Sequence, residues 1–410
     1  MKYLIQFAQQ HPNFRLPELE CISKIFDFEF RIDSEYCLLN PFLVIETEPE
    51  HIQKILQRSI LIRNVFKLLS TGTDLESLLE STKSVDVSEY RKKSFKFDFD
   101  SFNSRLDSDF QRRTIDRFSF MNLEGEVEMK TPEVVFSVLF DFGVKQMRDP
   151  PLERVFFGVK IANESRSLVD KFNLKKRKYV GTTSMDAELS LIMSNFALVR
   201  NGKSVYDPFI GTGSILYAAA HFGGYCFGSD IDGRQIRGKG GKSVQSNIDQ
   251  YHLTKILDTL IFDITTCPIR FTGWLDAIVT DPPYGVRAGA RKIGTTEQPR
   301  EASPIEKTAL YPKTVVYETE EVFLDLLEFA SKNLRIGGRL CYWLPIIPEE
   351  YEPNEIPSHP SLSLVFDCEQ PFNGWSRRLI TMEKTKEIDA SPVSIPALKG
   401  SFREKYFQPK

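Results

Sequence analysis

Cysteine is scarce in this 410-residue chain, with six residues, Cys21, Cys37, Cys226, Cys267, Cys341 and Cys368, none of them in a CxxC pair. That scatter argues against a zinc site or a disulfide framework and leaves reduced, largely buried thiols as the expectation. Nowhere does an apolar segment approach the ~18 residues a membrane-crossing helix needs. The opening MKYLIQFAQQHPNFR lacks both an apolar centre and a small-residue cleavage site, so no secretory leader is expected. Neither sign of charge dominates: Lys+Arg 53 against Asp+Glu 56 give a net −3, which excludes a histone-like polycation but not a local basic patch. No internal repeat is visible. At 41% hydrophobic and 27% charged residues, the chain is expected to be a soluble, multidomain protein of the cytoplasm.

Residues 1–71 alternate in a readable way. KYLIQFA, FDFEFRI, PFLVIETE and ILIRNVFKLL have the character of strands, and LPELECISKIF and HIQKILQRS that of helices. The order βαββαβ predicts a ferredoxin-like domain. Residues 72–165 predict a second small α+β unit. TGTD caps a helix over DLESLLES, and Phe95, Phe97 and Phe99 alternate along a half-buried strand. SDFQRRTIDRFSFM is an amphipathic helix, and VEMKTPEVVFSVLFDFG and PLERVFFGVKIA are strands. The next stretch, 166–183, breaks the pattern: Lys171, Lys175, Lys176, Arg177 and Lys178 stand against one Asp, as a solvated linker or a phosphate-contacting hinge. From 184 to 385 helices alternate with apolar strands, predicting a doubly wound, Rossmann-like parallel α/β domain. GVRAGARKIGTTEQPREASPIEKTALYPKTVVY reads there as one long loop, and 386–410 as a tail.

Two nucleotide-binding fingerprints fail. VYDPFIGTGSIL turns from strand to helix through Gly211 and Gly213, but Leu216 stands where a dinucleotide motif needs a third small residue. NGKS and GGKS are no phosphate loops, because Ala197 and Ile236 occupy the first glycine position. What marks the turn is Asp207 just before it, placed to meet a cationic amino group. S-adenosylmethionine, with an ammonium and a sulfonium, suits that site. Asp230 ends the next strand, 23 residues on, where a carboxylate can bind ribose hydroxyls. Asp263 ends the third and could accept from an adenine amine. Any one aspartate could be a helix cap, but four strands ending in Asp207, Asp230, Asp263 and Asp281 put carboxylates along the ligand edge of such a sheet. The candidate cofactor set is Thr183, Ser184, Asp207, Pro208, Gly211, Thr212, Gly213, Asp230, Ile231, Asp263 and Ile264. Thr183 and Ser184 belong to GTTSMDAELS, a capped helix start that can pack over the methionine end.

DPPYG, residues 281–285, is the most specific signal. A strand ending in Asp-Pro-Pro-Tyr resembles the catalytic motif of methyltransferases acting on planar nitrogens. The lone pair of an exocyclic amine is delocalised into its ring, so the amine is a poor nucleophile. The Asp281 carboxylate and the Pro282 carbonyl can accept its two hydrogens and bend the nitrogen towards sp3. Pro282 and Pro283 fix that carbonyl rigidly, and Tyr284 can stack on a base drawn from its own stack.

Together RKYVGTTSMDAELSLIMSNFALV, DPFIGTGSIL, GSDID, DPPYGVRAGARKIG and WSRRLITMEK resemble the tRNA guanine-N2 methyltransferase family acting at position 10. MKTPEVVFSV and VFFGVKIA resemble its THUMP RNA-binding domain, and MKYLIQFAQQHPNFRLPELE its N-terminal ferredoxin-like domain. The resemblance implies a class I, S-adenosylmethionine-dependent enzyme on tRNA, with Asp281, Pro282, Pro283 and Tyr284 catalytic. It further implies RNA contacts from Lys171, Lys175, Lys176, Arg177, Lys178, Arg287, Arg291 and Lys292, and a heterodimer with a small zinc-binding activator that carries the zinc. No metal site is expected in the chain itself. Two other readings stay open: another amine acceptor (DNA adenine, rRNA guanine or protein glutamine), and a non-catalytic RNA-binding scaffold on a methyltransferase fold.

Overall fold

The computed structural model describes residues 1–387 except 34, 146, 149, 162–165, 285–289, 295–313 and 354–355; the expected contact Arg287 and nearly all of the tail lie outside the described residues. The chain forms two compact units, Met1–Ser167 and Leu168–Lys410.

In the first unit, β1 (Lys2–Phe7), α1 (Arg15–Phe26), β2 (Arg31–Ile32), β3 (Phe42–Glu46), α2 (Pro49–Arg58) and β4 (Ile62–Gly72) follow the expected order. Their antiparallel pairing, β2-β3-β1-β4, is that of a split βαβ module. The expected strand FDFEFRI shrinks to two residues. Asp27 closes α1 in the left-handed region at φ 52°, and Phe28 stacks on His51, ring centroids 4.7 Å apart, rather than extending β2.

The sheet continues beyond β4. α3 (Leu75–Lys83), β5 (Phe95–Phe102), α4 (Ser108–Asp116), β6 (Val134–Asp141) and β7 (Arg154–Ile161) add three strands, and β7 pairs along the free side of β4. One seven-stranded sheet results, β2-β3-β1-β4-β7-β6-β5. The sequence division at 71/72 thus falls inside β4, which serves both halves. α3 starts at a capping box in which Asp74 accepts from the Ser77 N–H at 2.7 Å. Phe97, Phe118, Phe136 and Phe157 form the aromatic centre of one face, with contacting ring pairs 4.6 to 6.3 Å apart. The other face buries Leu4, Phe42, Val44 and Phe66 together with Leu139 and Phe156. Asn40 donates to both oxygens of the fully buried Asp141 at 2.9 Å, and Arg154 Nη2 reaches that carboxylate at 2.8 Å.

The second unit runs α5 (Ser167–Lys171), α6 (Ala187–Phe196), β8 (Ser204–Asp207), α7 (Ser214–His221), β9 (Tyr225–Asp230), α8 (Gly233–Arg237), α9 (Val244–Tyr251), β10 (Ile256–Ile261) and β11 (Leu275–Thr280). It continues through β12 (Arg291–Ile293), β13 (Thr314–Val316), α10 (Thr319–Asn333), β14 (Leu334–Ile346), β15 (Leu362–Pro371) and β16 (Ser376–Lys384). The sheet order is β10-β9-β8-β11-β14-β16-β15. The first five strands are parallel, and β11, covered on both faces, is buried at every position. The last two depart from the all-parallel expectation. A tight turn with Gly374 at φ 79° sends β16 back antiparallel to β15 and into the slot beside β14. The ends of the expected long loop pair as an antiparallel ribbon, β12 with β13. Among the described residues no helix is long and apolar enough to cross a membrane.

Candidate functional site

Strand order reverses between β8 and β11: β9 and β10 lie to one side, β14 to the other. The crevice outside the carboxyl ends of the strands at such a reversal is where open α/β sheets hold ligands. A cavity of about 1260 Å³ occupies it. Asp207, Asp230, Asp263 and Asp281, each at or just past a strand end, all reach its wall.

Asp207 is almost fully buried and accepts hydrogen bonds from Thr280 Oγ1 at 2.7 Å and the Phe209 N–H at 3.0 Å. Burial dominates over those two donors, and Asp230 and Asp281 add like charge, so its pKa is pushed up to about 7. Asp230 accepts from the N–H groups of Asp232 at 2.8 Å and Gly211 at 2.9 Å, yet burial still raises it above the usual carboxylate range. Two carboxylates held this way are stabilised by an incoming cation. A phosphate would meet repulsion, in keeping with the failed dinucleotide and phosphate-loop fingerprints. Asp263 is more committed to the scaffold, capping a short turn through the Thr265 N–H at 2.9 Å and holding β12 through the Ile293 N–H at 2.6 Å.

The glycine turn is built for close approach. Gly211 sits at φ 50°, and a β-carbon there would meet nothing within 4 Å, so the backbone faces open cavity. Gly213, at φ 86°, is the N-cap of α7, and a β-carbon there would strike the Tyr217 hydroxyl at 2.6 Å. Above the turn Ser184 Oγ and Thr212 Oγ1 share a hydrogen bond of 2.6 Å. Of the expected cofactor residues, Thr183, Ser184, Asp207, Gly211, Thr212, Asp230, Ile231 and Asp263 line the cavity. Pro208, Gly213 and Ile264 lie behind its wall, Ile264 in the apolar core under α10.

Next to them Asp281, Pro282, Pro283 and Tyr284 line the cavity together, just past the end of β11, the strand paired with β8. Facing them is a wall that the motifs did not announce: Gln370, Phe372, Trp375 and Arg377, from the β15–β16 turn. Phe372 and Trp375 stack with ring centroids 4.5 Å apart, and Trp375 lies 6.5 Å from Tyr284. An aromatic cleft beside a carboxylate can hold a flat, amine-bearing ring.

The basic candidates divide. Lys171, Lys175, Lys176 and Lys178 are exposed, with Lys176 paired to Asp170. Arg177 differs from them: it is buried, donates to Ser214 Oγ and to the Phe172 carbonyl, and lies over the Tyr217 ring at 5.2 Å, so it braces α7. Arg177→Ala is therefore expected to lower unfolding free energy by about 1–3 kcal/mol in a denaturant titration while leaving the salt slope of RNA binding unchanged. Arg291 reaches the cavity, whereas Lys292 is turned to Glu321 at 2.9 Å.

Residues 1–166 match the family model of the Tmrp11 THUMP N-terminal domain, and residues 175–296 that of the RMKL-like methyltransferase domain. The tRNA (guanine(10)-N(2))-methyltransferase of Schizosaccharomyces pombe is 38% identical over 99% of this chain and 96% of its own length. The human tRNA (guanine(10)-N(2))-methyltransferase TRMT11 is 36% identical over 99% of this chain and 95% of its own. Among solved structures, TrmN from Thermus thermophilus aligns at a TM-score of 0.47 and 19% identity, over 94% of this chain and 100% of that one.

Proposed function

Because the chain belongs to the tRNA (guanine(10)-N(2))-methyltransferase family, we propose that it methylates the exocyclic N2 amine of guanine 10 in tRNA with S-adenosylmethionine as donor. The observation that carries this reading is the meeting, in one cavity, of a cation-seeking carboxylate wall with Asp281-Pro-Pro-Tyr284. Asp207 would hold the donor's ammonium, Asp230 its ribose hydroxyls, and the open backbone at Gly211 would let it lie close. S-adenosylmethionine, when bound, supplies the electrophilic methyl group. The chain's own residues prepare the nucleophile. Asp281 Oδ1 or Oδ2 and the Pro282 carbonyl accept the amine hydrogens, which localises the nitrogen lone pair and points it into the cavity. Tyr284 and the Phe372–Trp375 pair shield the extruded base from water.

The tRNA backbone is assigned to the exposed lysines before α6. The Lys178 N–H donates to Gln250 Oε1 and Tyr179 Oη to the Gln235 carbonyl, so this stretch lies along α8 and α9, next to the exposed Arg237, Lys239 and Lys242. Neutralising Lys175, Lys176 and Lys178 together is expected to flatten the slope of log affinity for tRNA against log salt by about 2–3, leaving donor affinity unchanged.

We further propose a small zinc-binding activator as partner, seated on the apolar edge of the second sheet. β10 is its outer strand, and Leu257, 52% exposed, stands on it with Phe271 nearby in sequence at 67%. The deciding experiment incubates the chain, alone and co-expressed with the activator, with unmodified tRNA and labelled donor, and identifies the nucleoside by mass. N2-methylguanosine that disappears when guanine 10 is changed, and that requires the activator, is the expected result. Methylated adenine or glutamine would overturn the substrate, and donor binding without any transfer to tRNA in the activator's presence would favour the scaffold reading.

A further inference from the structure

Arg377 reaches the acceptor side of the cavity from β16, and nothing in the DPPY motif calls for it. Its guanidinium is fixed by four contacts other than Asp281. Cζ lies 4.0 Å over the Trp343 ring and 5.6 Å over that of Phe372, Nε donates to Gln370 Oε1 at 2.8 Å, and Nη2 approaches Met185 Sδ at 3.7 Å. The fifth contact is Nη1 to Asp281 Oδ2 at 3.6 Å. The next residue, Arg378, takes Asp367 and Glu369, so those two acids are already engaged elsewhere. Among the described residues Asp281 is the only carboxylate within 4 Å of Arg377.

We propose that Arg377 is the positioning residue of the methyl-transfer step, holding the Asp281 carboxylate aimed at the acceptor amine. This rests on the reading that Asp281 accepts an amine hydrogen. The geometry fits the task in two ways. Asp281 lines a cavity that also holds Asp207 and Asp230, and Arg377 sets a cation directly on the one carboxylate of the three that belongs to the DPPY motif. Contact at 3.6 Å is a single-atom ion pair rather than a bidentate clamp, a geometry that orients the carboxylate from one oxygen. The side chains are 12% and 23% exposed, dry enough for the pair to matter and open enough for a base to enter. Arg377 also touches Met185, next to Thr183 and Ser184 on the donor side, and so ties the two halves of the cavity together.

The test compares Arg377→Gln, Arg377→Lys and Arg377→Met in the full chain with its activator. Single-turnover kcat, KM for tRNA, donor affinity by calorimetry and thermal midpoint are read for each. Arg377→Gln and Arg377→Met, which remove the cation, are expected to lower kcat about 100-fold, with KM and donor affinity within a few-fold of wild type. Arg377→Lys, which keeps a cation, is expected to recover about tenfold of that loss. The proposal is overturned if the neutral variants keep wild-type kcat, if lysine does no better than glutamine, or if the loss sits in KM or donor affinity. Should glutamine lower the thermal midpoint, the methionine variant, whose stem still covers Trp343, decides. Asp281→Asn is run alongside. An unimpaired Asp281→Asn sinks the underlying amine-acceptor reading, whereas an impaired Asp281→Asn beside an active Arg377→Gln sinks only the role of Arg377.

Discussion

Asp281→Ala is expected to lower kcat by at least about 10³-fold while the protein binds S-adenosylmethionine as tightly as wild type. Removing one well-placed group that stabilises developing charge typically costs 10² to 10³ in kcat. Here the same carboxylate also orients the nucleophile, which adds to the loss. The donor site is spared because its contacts come from β8, β9 and the glycine turn, whereas Asp281 follows β11. The effect belongs in kcat rather than KM, since the amine hydrogens are held hardest as the nitrogen pyramidalises. Single-turnover methylation and donor calorimetry on the same preparation check it. Wild-type turnover in Asp281→Ala would dismiss the mechanism, and a matching loss of donor affinity would place Asp281 in the donor site instead.

Asp207→Asn is expected to cost about 100-fold or more in donor affinity, roughly 2.7 kcal/mol, and yet to stabilise the free protein at pH 8. The amide keeps the acceptor oxygen for Thr280 and Phe209 but carries no charge for the donor's ammonium. The stability gain follows from the raised pKa. An unfolded Asp207 gives up its proton near 3.8, and the folded one holds it to about 7. Between those values the folded state binds the additional proton, so this group subtracts from stability as pH rises from about 4 to 7, and the full deficit persists above 7. The asparagine variant has no such deficit. Its melting advantage over wild type is expected to be greatest at pH 8 and to vanish towards pH 4. Donor affinity of the wild type should fall about tenfold per unit below pH 7, because the ammonium prefers the ionised carboxylate, and the variant's should stay flat. Equal melting curves at pH 8 would show that Asp207 carries no such burden.

The residues that recur at strand ends were legible because the chemistry demands them there. Asp207 with its glycine turn and Asp281 with its two prolines each carry a local pattern that survives without knowledge of the fold. Arg377 does not. WSRRLITMEK carries the resemblance as a segment without marking this residue, and the placement of Arg377 arises from β16 entering the sheet between β14 and β15, a long-range pairing no local spacing encodes. Arg177 differs in the opposite sense. A run of like charges suggests a solvated stretch, but Phe172 and Arg177 turn inward against α7 while their neighbours stay out. The amphipathic segments of the first unit form elements where their periodicity places them, whereas the length of β2 depends on Phe28 stacking on His51 rather than joining the ladder. Periodicity identifies a strand's chemistry, and tertiary competition decides how much of it pairs.

β4 carries hydrogen-bonded partners along both of its sides, β1 on one and β7 on the other. The ferredoxin-like and THUMP halves therefore cannot be excised from each other. A fragment beginning at residue 72 would present the stripped margin of β7, from Val155 to Ile161, to any extended chain it met, and would leave Asp141 without its Asn40 partner. A fragment ending at 71 would bare β4 in the same way. Such pieces are expected to self-associate through those margins. For the same reason each half is the other's only cover along β4 among the described strands, and the two form one folding unit.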